Sequence, residues 1–196
     1  MRIFIILFSF LLTCAPAMAQ DTAPVTAWSV SYNQSELAFH GKQMAIPFKG
    51  VAGKYAADIR FDPERLEDSR VTVDIDTASL STGDKDRDKT ITTKEWFDTA
   101  KYPSARFESG VFKKQGDGSF TTEGNLTIKD KSVPVILSFT VEFIPMDSGN
   151  KKALVKGKST VKRTDFALGT GDWADTSVIT NDVDITLDLI AFSKAE

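Results

Sequence analysis

The sequence predicts an all-β fold: an antiparallel barrel or sandwich of about eight strands with one short helical insertion. Three observations carry that reading. Apolar residues recur at every second position in run after run, from Trp28 to Phe192. Turn-forming clusters such as "FDPERLEDS", "KKQGDGS", "IKDKS" and "PMDSGNKK" separate the runs. Only the stretch between Ser81 and Tyr102 departs from period two.

The chain opens as a leader. Arg2 is followed by the apolar run "IFIILFSFLL" and by "AMA", which sets small residues at Ala17 and Ala19. Residues 1–19 are therefore expected to be a cleaved signal peptide, with Gln20 first in the mature chain and one domain over residues 20–196. "LLTC" at Leu11–Cys14 is a weaker match to a lipoprotein site, because Thr13 is larger than the residue usual before a lipidated cysteine. Cys14 is the only cysteine, so the mature domain is expected to hold itself together by its core alone.

The mature chain then alternates. "AWSVSY" and "SELAFH" read as short strands. "YAADIRF" puts Tyr55, Ala57, Ile59 and Phe61 on one face, and "VTVDIDT" does the same for Val71, Val73 and Ile75. Between Ser81 and Tyr102, Thr82 or Thr93 is placed to cap a short helix, and "KEWFD" offers Trp96 and Phe97 as its apolar side. "ARFESGVF", "SFTTEGNLTI", "VPVILSFTVEF", "ALVKGKSTVKR" and "VDITLDLIAF" complete the set. One dry and one wet face per strand is the mark of antiparallel sheets, and closing the sheet removes its free edges. A dry face this rich in phenylalanine either fills a core or lines a cavity, and periodicity does not separate the two.

The chemistry-bearing motifs are few. "DKDRDKTITTKE" spaces Asp84, Asp86, Asp88 and Glu95 much as an EF-hand loop does. However, Lys89 stands where glycine is required, and the preceding segment reads as a strand. The favoured reading is a salt-bridged helix start, with a calcium-dependent structural or interaction protein as the alternative. "GTGDWA" looks like a dinucleotide turn but has no helix to carry a phosphate, so its glycines are read as a bend at a barrel rim. His40, the sole histidine, has no acid and serine beside it in the pattern, and no catalytic residue or metal ligand is assigned. An enzyme is not expected; a lipid-acting hydrolase is the least favoured alternative. Lys156, Lys158 and Lys162 share a strand face that is either solvated or a site for anionic lipid or an acidic partner. "NQS" at Asn33 and "NLT" at Asn125 are sequons by letter only. The formal charge of −3, one unit more negative once Arg2 is lost with the leader, argues against nucleic acid.

Several stretches, taken in order, resemble the YceI-like family. "TGDKDRD…EWFDTAKYPSARFES" has its acidic Arg-Asp helix start, Tyr-Pro and Phe-x-Ser strand. "GNLTIKDKSVPVILSF" is similar to its hairpin. "RTDFALGTGDWADTSVITNDVDITLDLIA" matches its closing segment, and "FKGVAGKYAADIRFDPERL" its early strand pair. Ala167 departs from the glycine common in the family after Asp-Phe. The resemblance implies a lipocalin-like antiparallel eight-stranded barrel that binds a polyisoprenoid or another long-chain amphiphile as a periplasmic carrier. It implies no cofactor beyond a bound isoprenoid or quinone-type lipid. It also allows transient contact with inner-membrane proteins or anionic lipid, and a monomer or a dimer.

Given such a ligand, strand faces select Phe39, Tyr55, Ile59, Val73, Ile75, Phe107, Leu126, Leu137, Phe139, Phe166, Ile185 and Leu187 as tail contacts. Arg87, Asp88, Arg163 and Asp165 are expected either at the mouth, near a headgroup, or in a structural ion-pair set.

Overall fold

The computed structural model describes residues 24–194. The expected leader, residues 1–19, together with Cys14 and Gln20, lies outside the described residues. The strands in chain order are β1 Ala27–Val30, β2 Glu36–Gln43, β3 Ile46–Ala52, β4 Tyr55–Arg60, β5 Arg70–Asp76 and β6 Leu80–Ser81. After the helix α1, Lys85–Ile91, come β7 Ser104–Lys114, β8 Phe120–Ile128, β9 Lys131–Pro145, β10 Lys151–Lys162 and β11 Asp182–Ser193.

All pairings are antiparallel, and eight strands close a ring in the order β1-β4-β5-β7-β8-β9-β10-β11, with β11 returning to β1. The fifteen-residue β9 serves two neighbours: its first part pairs with β8 and its last part with β10. β11 is also shared along its length. Residues Ala191–Ser193 pair with β1, whereas Asp184–Asp188 pair with β2. The hairpin β2–β3 thus leaves the ring at one end. Its far strand rejoins the wall only at Val51 and Ala52, opposite β6.

The expected dry faces do point inward. Val135, Leu137, Phe139, Val141 and Phe143 of β9 line the interior, while Ile136 between them is 61% exposed. One break in parity has a clear cause. Strict alternation from Phe107 would turn Val111 inward, but the register slips between Ser109 and Phe112. This bulge places Phe112 in the core and leaves Val111 67% exposed.

Two expectations are corrected. The helix is capped by Asp84, whose side chain accepts from the backbone N–H of Asp86 at 3.1 Å and of Arg87 at 2.9 Å, not by Thr82 or Thr93. It ends at Ile91, and "KEWFD" lies in the turns that follow. The run Thr90–Ile91–Thr92–Thr93 is β-branched throughout, and such residues lose side-chain freedom in a helix. The second correction is β3, which period two does not pick out, although the resemblance places an early strand pair over "FKGVAGKYAADIRFDPERL". "IPFKGVA" carries Pro47 and Gly50 and shows little alternation. Its register is set across the hairpin instead, where Phe39 faces Gly50 and Gly41 faces Phe48. A Cβ at Gly50 would come within 2.1 Å of the Phe39 ring, so that ring needs a glycine opposite in order to lie against the wall.

The buried apolar residues form two clusters, one toward each end. One holds Trp96, Leu126, Val161, Phe166 and Leu168. The other holds Trp28, Phe61, Phe112, Phe120 and Phe139.

Candidate functional site

The interior is hollow, and the two clusters line it. An outer chamber of about 390 Å³ lies at the α1 end, and an inner chamber of about 160 Å³ lies toward the phenylalanine cluster. Leu37, Ile75, Leu126 and Ile185 line both, so the two chambers adjoin and these four residues form the waist between them.

The twelve residues selected by strand face divide between the chambers. Phe39 and Phe166 line the outer one. Tyr55, Ile59, Val73, Phe107, Leu137, Phe139 and Leu187 line the inner one. Ile75, Leu126 and Ile185 sit at the waist. Leu37, Phe48 and Trp96 also line the cavity and escaped the sequence reading. Leu37 is two residues from Phe39 on the same face, so its alternation was legible. Phe48 was hidden by the missed strand, and Trp96 by the turns that replace the expected helix.

The four expected mouth residues do not act together. Arg163 is only 2% exposed and uses all five of its N–H groups on backbone carbonyls. Nη1 donates to Leu168 at 2.7 Å and Gly169 at 3.1 Å, Nη2 to Trp173 at 2.9 Å and Ile179 at 3.1 Å, and Nε to Thr180 at 3.3 Å. It ties the segment before β11 to the end of β10. Burial pulls its pKa below the usual arginine value. Asp165 is exposed and is not its partner; among the described residues the two form no ion pair. The expected ion-pair set is therefore replaced by a cation held by carbonyl dipoles. Gly169 makes this feasible: its φ is +74°, and a Cβ there would lie 2.3 Å from Nη1. This is the rim bend expected from "GTGDWA".

Arg87 does reach the outer chamber. Its guanidinium carbon lies 4.7 Å from the centre of the Phe48 ring, bridging α1 and the hairpin. Asp88 turns the other way. It accepts from Ser81 Oγ at 2.6 Å, from Thr82 N–H at 2.6 Å and from Thr82 Oγ1 at 2.7 Å. Burial acts to raise the Asp88 pKa, but these hydrogen bonds and the Arg87 charge outweigh it and lower the pKa. Asp84 and Asp88 are thus committed to folding α1 onto β6. Among the described residues, no three His, Cys, Asp or Glu side chains gather to hold a metal ion. His40 stands away from both chambers, with its Nε2 3.0 Å from Thr186 Oγ1.

The chambers differ in polarity. Threonines and the charged Asp84, Asp86, Arg87 and Arg163 line the outer one. The inner one is lined by aliphatic and aromatic groups, with Thr122 and Ser159 the polar members of its wall besides the Tyr55 phenol. Burial, followed by the neighbouring Tyr32 phenol, pushes the Tyr55 pKa up, while Ser35 acts in the opposite direction. Trp96 Nε1, Arg87 Nε and Ser159 Oγ are buried without a hydrogen-bond partner. An arrangement of this kind can take an apolar chain along its axis and leave a polar end at the rim.

The lysine stripe of β10 faces the acidic row of β11. Lys156 is 3.7 Å from Asp188, and Lys162 is paired in register with Asp182. Lys158 faces Thr186, so the stripe is matched only in part within the sheet.

Comparison with known proteins agrees with this geometry. The model of the YceI-like domain matches residues 28–191. A UPF0312 protein of Pseudomonas syringae pv. tomato is 35% identical over 184 residues, which span 88% of this chain and 94% of the relative. Among solved structures, Burkholderia cenocepacia BcnA is 32% identical with a TM-score of 0.74, over 83% of this chain and 99% of BcnA. A polyisoprenoid binding domain from Saccharophagus degradans, at 16% identity, shares the fold with a TM-score of 0.65, over 86% of this chain and 99% of that domain. With the domain match spanning most of the chain and the barrel common to its relatives, the chain belongs to the YceI-like family.

Proposed function

We propose that the protein is an exported binding protein that carries a polyisoprenoid or another long-chain amphiphilic lipid inside its barrel. The observation that carries this reading is the pair of adjoining, mainly apolar chambers inside the barrel, with Leu37, Ile75, Leu126 and Ile185 at the waist between them. The tail threads the waist into the inner chamber, and the polar end stays among Arg87, Thr90 and Thr82. Burial contributes roughly 0.8 kcal/mol per CH₂-sized group, so one isoprene unit adds on the order of 3 kcal/mol before ordering costs. Several units give firm binding with few polar contacts, and the length of the cavity then selects the tail. The fold neighbour from Saccharophagus degradans, described as polyisoprenoid binding, points to the same ligand class. The leader pattern of residues 1–19 supports a periplasmic location.

Organic extraction of the purified protein followed by mass spectrometry tests this. The expected result is a co-purified isoprenoid or long-chain lipid, together with saturable uptake of added geranylgeraniol by the emptied protein. Failure of both would sink the reading. Cell fractionation tests the location, with the mature chain expected in the periplasmic fraction.

A further inference from the structure

The β2–β3 hairpin ends in a feature that neither the barrel nor the cavity uses. Met44 and Ile46 are each 70% exposed, the two most exposed large apolar side chains among the described residues. They flank Ala45 and precede Pro47, so the tip is an unbroken apolar tetrad facing solvent. The turn itself is unfavourable. Met44 has φ +50° and Ala45 φ +66°, left-handed values at both central positions of a two-residue hairpin loop. Asn-Gly suits such a turn, and a Met-Ala pair carries a steric penalty for no packing gain in the barrel.

The tip is also held in place and stands at the mouth. Met44 N–H donates to Val178 O at 2.7 Å, and Thr180 N–H to Lys42 O at 3.0 Å. One step in from the tip, Gln43 and Phe48 line the outer chamber. Beyond Glu36 the hairpin has no acid of its own, although Asp182 and Asp184 of β11 border the same groove as Lys42. The chain has 27 Asp and Glu residues, yet none lies between Leu37 and Ala57, a stretch that carries Lys42, Lys49 and Lys54. Lys49 is neutralised by Glu36 at 2.7 Å. Lys42 is exposed, two residues from Met44.

We infer that this tip docks the barrel mouth onto a phospholipid bilayer, with Met44, Ala45 and Ile46 entering the boundary between headgroups and acyl chains and Lys42 reaching the lipid phosphates. A lipid then passes between membrane and outer chamber beneath the hairpin without crossing water. The inference takes its purpose from the lipid-carrier reading, but its test does not depend on that reading.

The test is flotation of the full-length mature protein with phosphatidylcholine vesicles and with vesicles containing phosphatidylglycerol. The wild type is compared with Met44→Asn/Ala45→Gly/Ile46→Thr, which installs the favoured turn and so keeps the fold. The wild type is expected to float with both vesicle types, and the triple variant to lose about tenfold in partitioning while melting no lower. Lys42→Glu is expected to weaken flotation most on the anionic vesicles. Geranylgeraniol added from ethanol should bind wild type and triple variant alike, whereas its transfer from vesicles should slow in the variant. Absence of wild-type flotation, or equal flotation of both proteins, overturns the inference. So does a concentration-dependent dimer that the triple variant abolishes without any effect on vesicles, since the tip would then serve a second copy. Loss of geranylgeraniol binding with flotation intact would instead count against the carrier reading alone.

Discussion

At the inner end of the barrel, Phe61 meets Phe112, Phe120 and Phe139 edge to face, with centroids 5.5, 5.3 and 5.6 Å away, and Trp28 Nε1 donates to Phe61 O at 3.0 Å. At the outer end the wall parts. β3 rejoins it by two residue pairs, and α1 reaches the hairpin through Arg87 over Phe48. Both ends are built from alternating strands and large aromatics, so hydrophobicity alone does not decide which end closes tightly. The inner rings come from four strands or strand ends that converge in a closed ladder, and they pack on one another. Of the outer rings, Phe39 and Phe48 lie on a hairpin whose glycines let them flatten against its own surface, while Trp96 and Phe166 pack beneath the turns. The result is a small chamber closed off by packed rings at one end and a larger chamber at the other.

Breaking the packed rings should have the largest effect. Phe61→Ala removes a ring in contact with three others and is expected to cost about 3–5 kcal/mol, read by denaturant unfolding. If the variant still folds, its inner chamber lengthens and longer tails should bind relatively better. Arg163→Met tests the outer end by leaving five carbonyls without their donor, and the expected loss is about 3 kcal/mol. Gly169→Ala should reproduce part of that loss, because its Cβ meets Nη1. An Arg163→Met protein as stable as wild type would show that the carbonyl cage is not what holds this end.

Ile185→Phe separates the chambers at the waist. Overpacking should cost about 1–3 kcal/mol, and uptake of geranylgeraniol should fall while a ten-carbon isoprenoid alcohol still enters the outer chamber. Asp88→Asn is expected to cost about 1 kcal/mol at neutral pH. The sign follows from the lowered pKa of Asp88. Its carboxylate stabilises the fold above its ordinary value of 3.8, and that stability is lost as the pH falls through the lower folded value. The gap between wild type and Asp88→Asn should therefore close in acid, as melting curves at a series of pH values would reveal. Ala167→Gly is of similar size and has the opposite sign. Ala167 sits at φ +52°, so glycine should stabilise the bend by about 1 kcal/mol.

Much of the wall was legible in the sequence. Period two placed Val71, Val73 and Ile75, or Val183, Ile185 and Leu187, on one face, because a pleated strand leaves no other choice once one face must be dry. The twelve residues chosen by face all border the cavity for the same reason. What was illegible depends on contacts between distant segments. Phe48 belongs to a strand defined by its partner β2, and Val111 yields its place to Phe112 because of a bulge against β8. Arg163 looked like an ion-pair member. The carbonyls that hold it come from residues Leu168 to Thr180, folded around it by the backbone rather than aligned with it in a motif.

The sequence by itself determined an antiparallel all-β domain, a barrel or a sandwich by its period and a barrel by its family resemblance. It also determined which side of most strands is dry and that this side is rich in phenylalanine. Only the tertiary structure decided that these rings close one end tightly and leave the larger chamber at the other. Alternation is a local property of a strand, whereas a void depends on how far apart facing strands are held. That distance is set by the ring closure between β1 and β11, by the departure of the β2–β3 hairpin, and by the glycines opposite its aromatic rings.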